Sequence, residues 1–227
     1  MTATATTPAV EGGDGYPAAT GGRHGSMPRR LAPAVATFIA VAGAALFVFV
    51  QLRPDLLLAG TTPAGGDMGA HVWGPAFLRD HLLPHGRLTG WAPDWYAGFP
   101  FPNFYFPIPT LLIVVVDVLL PYAVAFKLVS VLGLVSLPVA AWAFGRLAGV
   151  SEPGPACLAV ATVPFLFDRS FTIYGGNIPS TLAGEFSFSI SLSLAIVFLG
   201  VLAKSLQTGR YRALAGVLLA LTLLSHV

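Results

Sequence analysis

The residues with the clearest chemical promise are Asp67, which follows Gly65 and Gly66, and His71, four positions later. On a helix, side chains four apart share a face, so the two would form a compact acid-plus-imidazole site. A carboxylate there could accept a proton from an attacking hydroxyl or help hold a divalent cation, while imidazole could ligate metal or donate to a phosphate oxygen. A plainer reading stands beside this one: Asp67 caps the helix by accepting a bond from a backbone amide, and His71 is a solvated interface residue. Asn177 and Glu185 form a second pair before the apolar run that starts at Phe186. Glu185 either serves function or favours the positive end of the following helix, and Asn177 either serves function or holds a Gly-rich turn.

These groups need elements to hold them, and composition says what kind. Hydrophobic residues make up 55% of the chain and charged residues 10%, whereas a soluble domain is about a quarter charged. Lipid is therefore the main solvent. With a formal charge of +2 and basic residues scattered singly or in pairs, the chain lacks the basic stripe of a nucleic-acid binder. The lone Cys157 excludes an internal disulfide and a thiolate cluster. Residues 1–30, rich in Thr, Ala, Gly and Pro, read as a disordered cytoplasmic tail, and the first apolar run starts too late for a signal peptide and stays as an anchor.

A helix needs about 20 apolar residues to cross a hydrocarbon core of roughly 30 Å. The expected fold is an all-α, polytopic transmembrane bundle with spans at about 31–52, 122–147, 154–169, 186–204 and 212–227. Run 106–120 is short, bounded by prolines, and contains Asp117, so it is expected to be a re-entrant or interfacial helix. With it not crossing, Arg23, Arg29, Arg30, Arg146, Lys204, Arg210 and Arg212 share the starting side, which the positive-inside rule makes cytoplasmic. Loop 53–121 is then extracytoplasmic, as is 168–185. The first of these holds Trp73, Trp91, Trp95, His71, His81 and His85, and its aromatics suit the membrane surface. A short amphipathic helix is expected over 69–83. Asp94, between Trp91 and Trp95, is expected to brace the loop, and Asp117 to lie near an end of its run, in a cavity or paired with Lys127, because an unpaired carboxylate at mid-bilayer costs about 2.5–3.5 kcal/mol. The last apolar run stops at Val227 without a polar flank, as though a longer chain had been cut.

The sequence Gly66-Asp67-Met68-Gly69-Ala70-His71, followed by Trp91-Ala92-Pro93-Asp94-Trp95-Tyr96-Ala97-Gly98-Phe99-Pro100, resembles bacterial GT-C-type membrane proteins. Phe104-Tyr105-Phe106-Pro107, Tyr174-Gly175-Gly176-Asn177 and Leu182-Ala183-Gly184-Glu185-Phe186 add to the likeness. It is nearer still to the polytopic family labelled "6-pyruvoyl-tetrahydropterin synthase-related", from residue 31 to the end. The resemblance implies a transferase that takes a sugar from a polyprenyl-phosphate carrier on the outer face and passes it to a cell-envelope glycan acceptor. Asp67 would be the base, since a sugar hydroxyl is too weakly acidic to attack unaided. Arg79, Arg169 or a divalent cation bound by Asp67 and His71 would balance the departing phosphate, with Asn177 and Glu185 at the substrate. Direct attack would invert the anomeric carbon, whereas retention would want a second carboxylate close by. Inversion is expected. A non-catalytic membrane protein that binds a lipid carrier or steadies an envelope assembly is the main alternative, and a transporter ranks third because no paired interrupted helices mark an inverted repeat.

Overall fold

The computed structural model describes residues 31–103, 106–170 and 173–226. The expected tail over 1–30, with Arg23, Arg29 and Arg30, lies outside the described residues, as do Phe104 and Tyr105. The chain is mostly helical. In order it forms α1 (Leu31–Gln51), the single turn α2 (Pro54–Leu57), α3 (Met68–Phe77), a π-turn (Leu78–Leu82) and a 3₁₀ turn (Leu83–His85). Strands β1 (Gly90–Ala92) and β2 (Phe99–Phe101) follow, then α4 (Pro107–Asp117), α5 (Tyr122–Ala148) and α6 (Gly154–Leu166). The short α7 (Ile178–Ser180), a second π-turn (Thr181–Glu185), α8 (Phe186–Thr208) and α9 (Arg212–Ser225) complete it.

Three stretches, Pro33–Gln51, Tyr122–Ala148 and Ile178–Thr208, are long and apolar enough to cross a membrane. At 1.5 Å per residue, α4 is only about 16 Å long, and α6 and α9 about 20 Å each. The prolines that frame α4 explain its brevity: Pro107 opens it and Pro121 precedes α5. Helix α5 is the central post, packed on α1, α4, α6 and α8. It ends at Gly149 in the left-handed conformation, φ 86°. Its closest approach is to α8, where a Cβ on Gly133 would lie 2.3 Å from the Ser189 backbone. Ser193 Oγ donates to the Gly133 carbonyl at 2.9 Å. Small residues and hydroxyl bonds of this kind join helices where lipid offers no hydrophobic drive.

The helices of the outer loop are joined by a short hairpin that the all-α expectation did not include: β1 and β2 pair antiparallel with Trp91 opposite Pro100. Proline and glycine interrupt that stretch too often for a helix, and the turn at Pro93–Gly98 folds it back as a hairpin. Asp117 stands at the end of α4, one of the places expected for it, but it does not pair with Lys127. It accepts a bond from Arg79 at 2.6 Å, while Lys127 Nζ donates to the carbonyls of Leu56 and Ala59 at 2.5 and 2.6 Å. The turn between α4 and α5 points the two side chains at different partners. The lysine, only 8% exposed, satisfies the carbonyl end of α2.

Candidate functional site

Asp67 occupies the position before the first residue of α3, with its side chain exposed and making no capping bond. The capping alternative is therefore overturned: the helix start is braced by the backbone instead. Asp67 N donates to Ala183 O at 2.7 Å, and His71 N donates to Asp67 O at 3.1 Å. The loop before α3 is thus docked onto the π-turn that precedes α8. Glycine makes this possible on both sides. Gly66 (φ 51°) would place a Cβ 2.1 Å from Ala183 O, and Gly184 (φ 140°) would place one 2.8 Å from Asp67 Cβ. At such φ values only glycine sits without strain.

The docking brings Glu185 within electrostatic reach of Asp67. Gly175 packs against the other side of Glu185. His71, one turn along α3, feels the Asp67 carboxylate and sets its ring edge-on to Phe186, 5.3 Å between centroids. Burial of the imidazole lowers its pKa below the ordinary 6.5, and the attraction of Asp67 opposes that only in part. Near neutral pH the ring is neutral, able to accept a proton or a bond from substrate. Asp67, His71 and Glu185 are thus gathered from two distant parts of the chain, and of the three His71 lines a cleft.

That cleft, about 470 Å³ counting the open space at its mouth, runs from His71 between walls that include Trp73, Trp95, Phe101 and Phe186. Trp73 is the centre of the wall, with Phe77 stacked at 4.8 Å, Trp95 at 5.0 Å and Phe101 edge-on at 5.6 Å. Phe106 closes another side and is itself covered by the His226 ring at 4.3 Å, so the end of α9 reaches the site. The sequence reading missed these walls. The available signal was Trp73 and Phe77 four apart on one helical face.

The remaining site residues stand elsewhere. Arg79 lies about 18 Å along the helix from Asp67. It bonds Asp80 at 2.6 and 2.7 Å and Asp117 at 2.6 Å, and its guanidinium lies over the Tyr122 ring. Those carboxylates, Asp80 foremost, raise its pKa further. It clamps the π-turn after α3 to α4 and α5. Asn177 is buried and spends its amide on the backbone, donating to the carbonyls of Asp168 and Ser170 and accepting from Ser180 N at 3.1 Å. Arg169 is exposed on the same segment. Among the described residues no three His, Cys, Asp or Glu side chains gather as a metal cluster. A cation at Asp67 and His71 would draw its other ligands from substrate or water.

A family model for the 6-pyruvoyl-tetrahydropterin synthase related domain, described as a membrane protein, matches residues 102–227, more than half of the chain. The chain belongs to this family. It is a membrane protein. No curated protein and no solved structure matches it. The family match takes in Arg169, Asn177 and Glu185, and with them the π-turn on which Asp67 docks. Asp67, His71 and Arg79 come before the matched residues.

Proposed function

We propose that this family member is a GT-C-like membrane glycosyltransferase, which moves a sugar from a polyprenyl-phosphate donor to a cell-envelope glycan acceptor on the outer face of the cytoplasmic membrane. The observation that carries the reading is the uncapped Asp67 side chain, on a backbone that Ala183 holds, within electrostatic reach of Glu185 and one turn from His71, which lines the aromatic cleft. In this reading Asp67 takes the proton of the acceptor hydroxyl as it attacks the anomeric carbon. The bond from that carbon to the lipid phosphate breaks, and the phosphate leaves with the electron pair. Arg169 balances the departing charge, since Arg79 is committed to Asp80 and Asp117; a divalent cation, were one bound, would be held by Asp67 and His71 and would supply charge of the same sign. Attack from the opposite face inverts the anomeric centre. A retained centre would instead make Glu185 the partner in a double displacement.

The reading goes with a five-span bundle, its amino terminus in the cytoplasm and loop 53–121 outside. Short α4 supports that arrangement, as does the share of basic residues on the starting side. The test is Asp67→Asn in the full chain, reconstituted with a polyprenyl-phosphate sugar and acceptor. Turnover is expected to fall by about 10²–10⁴-fold, the usual contribution of a general base. Undiminished turnover in a folded variant removes Asp67 from catalysis.

A non-catalytic lipid-carrier-binding or assembly protein is the second reading. It is favoured by the groove between α5, α6 and α8, whose lining of Leu137, Phe144, Leu158, Phe165 and Ile196 is almost wholly apolar and suited to an isoprenoid chain. It predicts co-purified lipid and no transfer.

A further inference from the structure

A second cleft opens beside the first, and nothing in the transferase reading uses it. It measures about 1170 Å³ with its open mouth counted, and its lining includes Phe77, His81, His85, Arg87, Trp91 and Asp94. Phe77 lines it and stacks on Trp73, which lines the His71 cleft. The frame is well tied. The His81 ring lies 5.2 Å from that of Phe77, and His85 Nδ1 donates to the His81 carbonyl at 3.0 Å. Gly90 packs so tightly on Leu82 that a Cβ there would lie 2.5 Å from it, and Trp91 is held in the hairpin opposite Pro100.

The groups in this frame are chemically complementary. Arg53, Arg79 and Arg146 each bond a carboxylate, whereas Arg87 bonds none among the described residues. A guanidinium presents paired donors that match two phosphate oxygens, and His81 can add a third donor. The Trp91 indole is 62% exposed; Gly98 packs against it, where a Cβ would lie 2.3 Å from the ring, and the rest of it is an open apolar surface. Asp94 accepts from hydroxyls, and so does His85 Nε2, because Nδ1 already carries the proton given to His81 O. An apolar platform with a few converging polar groups is the usual form of a small-ligand site.

We propose that this cleft binds a phosphate ester of a hydroxylated ring: Arg87 and His81 hold the phosphate, and Trp91, Asp94 and His85 hold the ring and its hydroxyls. The ligand is either a soluble sugar phosphate or the head group of an inositol phospholipid, and its binding does not depend on the transferase reading.

The experiment is a titration of the full chain in phosphatidylcholine nanodiscs with glucose 1-phosphate, inorganic phosphate and glucose. Glucose 1-phosphate is expected to bind saturably and at least tenfold more tightly than either fragment. Arg87→Gln and Trp91→Ala should each weaken it at least tenfold, and Arg87→Lys should restore part of what Arg87→Gln loses. Size-exclusion profile and circular dichroism check that these surface variants stay folded. Nanodiscs doped with phosphatidylinositol separate the sources: competition with glucose 1-phosphate assigns the lipid head group, and its absence assigns the soluble ester. No saturable binding, equal affinity for inorganic phosphate, or indifference to Arg87→Gln in folded protein would each overturn the proposal.

Discussion

Replacing Gly184 by alanine probes the docking of the Asp67 loop directly. Two costs arise. The backbone at φ 140°, ψ −17° is a region that L side chains avoid, which costs about 1–3 kcal/mol. The new methyl would also sit 2.8 Å from Asp67 Cβ and 3.4 Å from Asp67 N and Cα, and overpacking of that kind costs about 1–3 kcal/mol. Gly65→Ala supplies the control, since Gly65 also has a positive φ of 94° but meets nothing within 4 Å. The difference between the two variants isolates the contact, at about 2 kcal/mol. For a chain of this size that is a Tm lower by about 4–8 °C for Gly184→Ala than for Gly65→Ala, read by thermal unfolding in one detergent at one scan rate. A double-mutant cycle sharpens the reading. Asp67→Gly removes the Cβ that is struck, so Gly184→Ala should cost about 0.5–3 kcal/mol less in that background. Equal Tm values for Gly184→Ala and Gly65→Ala, or costs that simply add in the cycle, would refute the docking geometry.

Two further outcomes follow from the buried polar groups. Because burial lowers the pKa of His71 in the folded chain, the unfolded chain binds more protons below about pH 6.5, so stability present above that pH is lost as pH falls through the folded value. Tm measured between pH 7.5 and 5 should drop more for the native chain than for His71→Gln, and parallel curves would show that His71 does not set the slope. Lys127→Met takes the ammonium donor from the carbonyls of Ala59 and Leu56, the latter keeping the Ala59 amide at 3.3 Å, and should cost about 1.5–3 kcal/mol, measured as lost thermal stability, with Lys127→Arg closer to the native value.

What could be read from the chain in advance followed how local each determinant was. The apolar runs placed α1 and α5 to within a residue or so, and the prolines around α4 marked it as short, because length and φ restriction act along the chain itself. The Asp67–His71 pairing was legible for the same reason, being one helical turn. Its partner Glu185 was singled out, but not as a neighbour of Asp67. That meeting depends on Gly66 and Gly184, whose value lies in what they leave out, and on a π-turn that no periodicity announces. Asp117 was matched to Lys127 through nearness in sequence, whereas α5 presents that lysine to α2 and the π-turn after α3 delivers Arg79 to the acid. The aromatic walls were visible as residues but read as membrane anchors, since only the hairpin fold brings Trp95 and Phe101 onto Trp73.

The lysine on α5 also bears on how the chain is built. Its two carbonyl acceptors, Leu56 in α2 and Ala59 just after it, leave the ribosome before α5 does. When the lysine-bearing helix partitions, the groups that neutralise its ammonium have already been made. This buried charge therefore need never be desolvated bare, and synthesis from the amino end supplies the order of assembly that it requires.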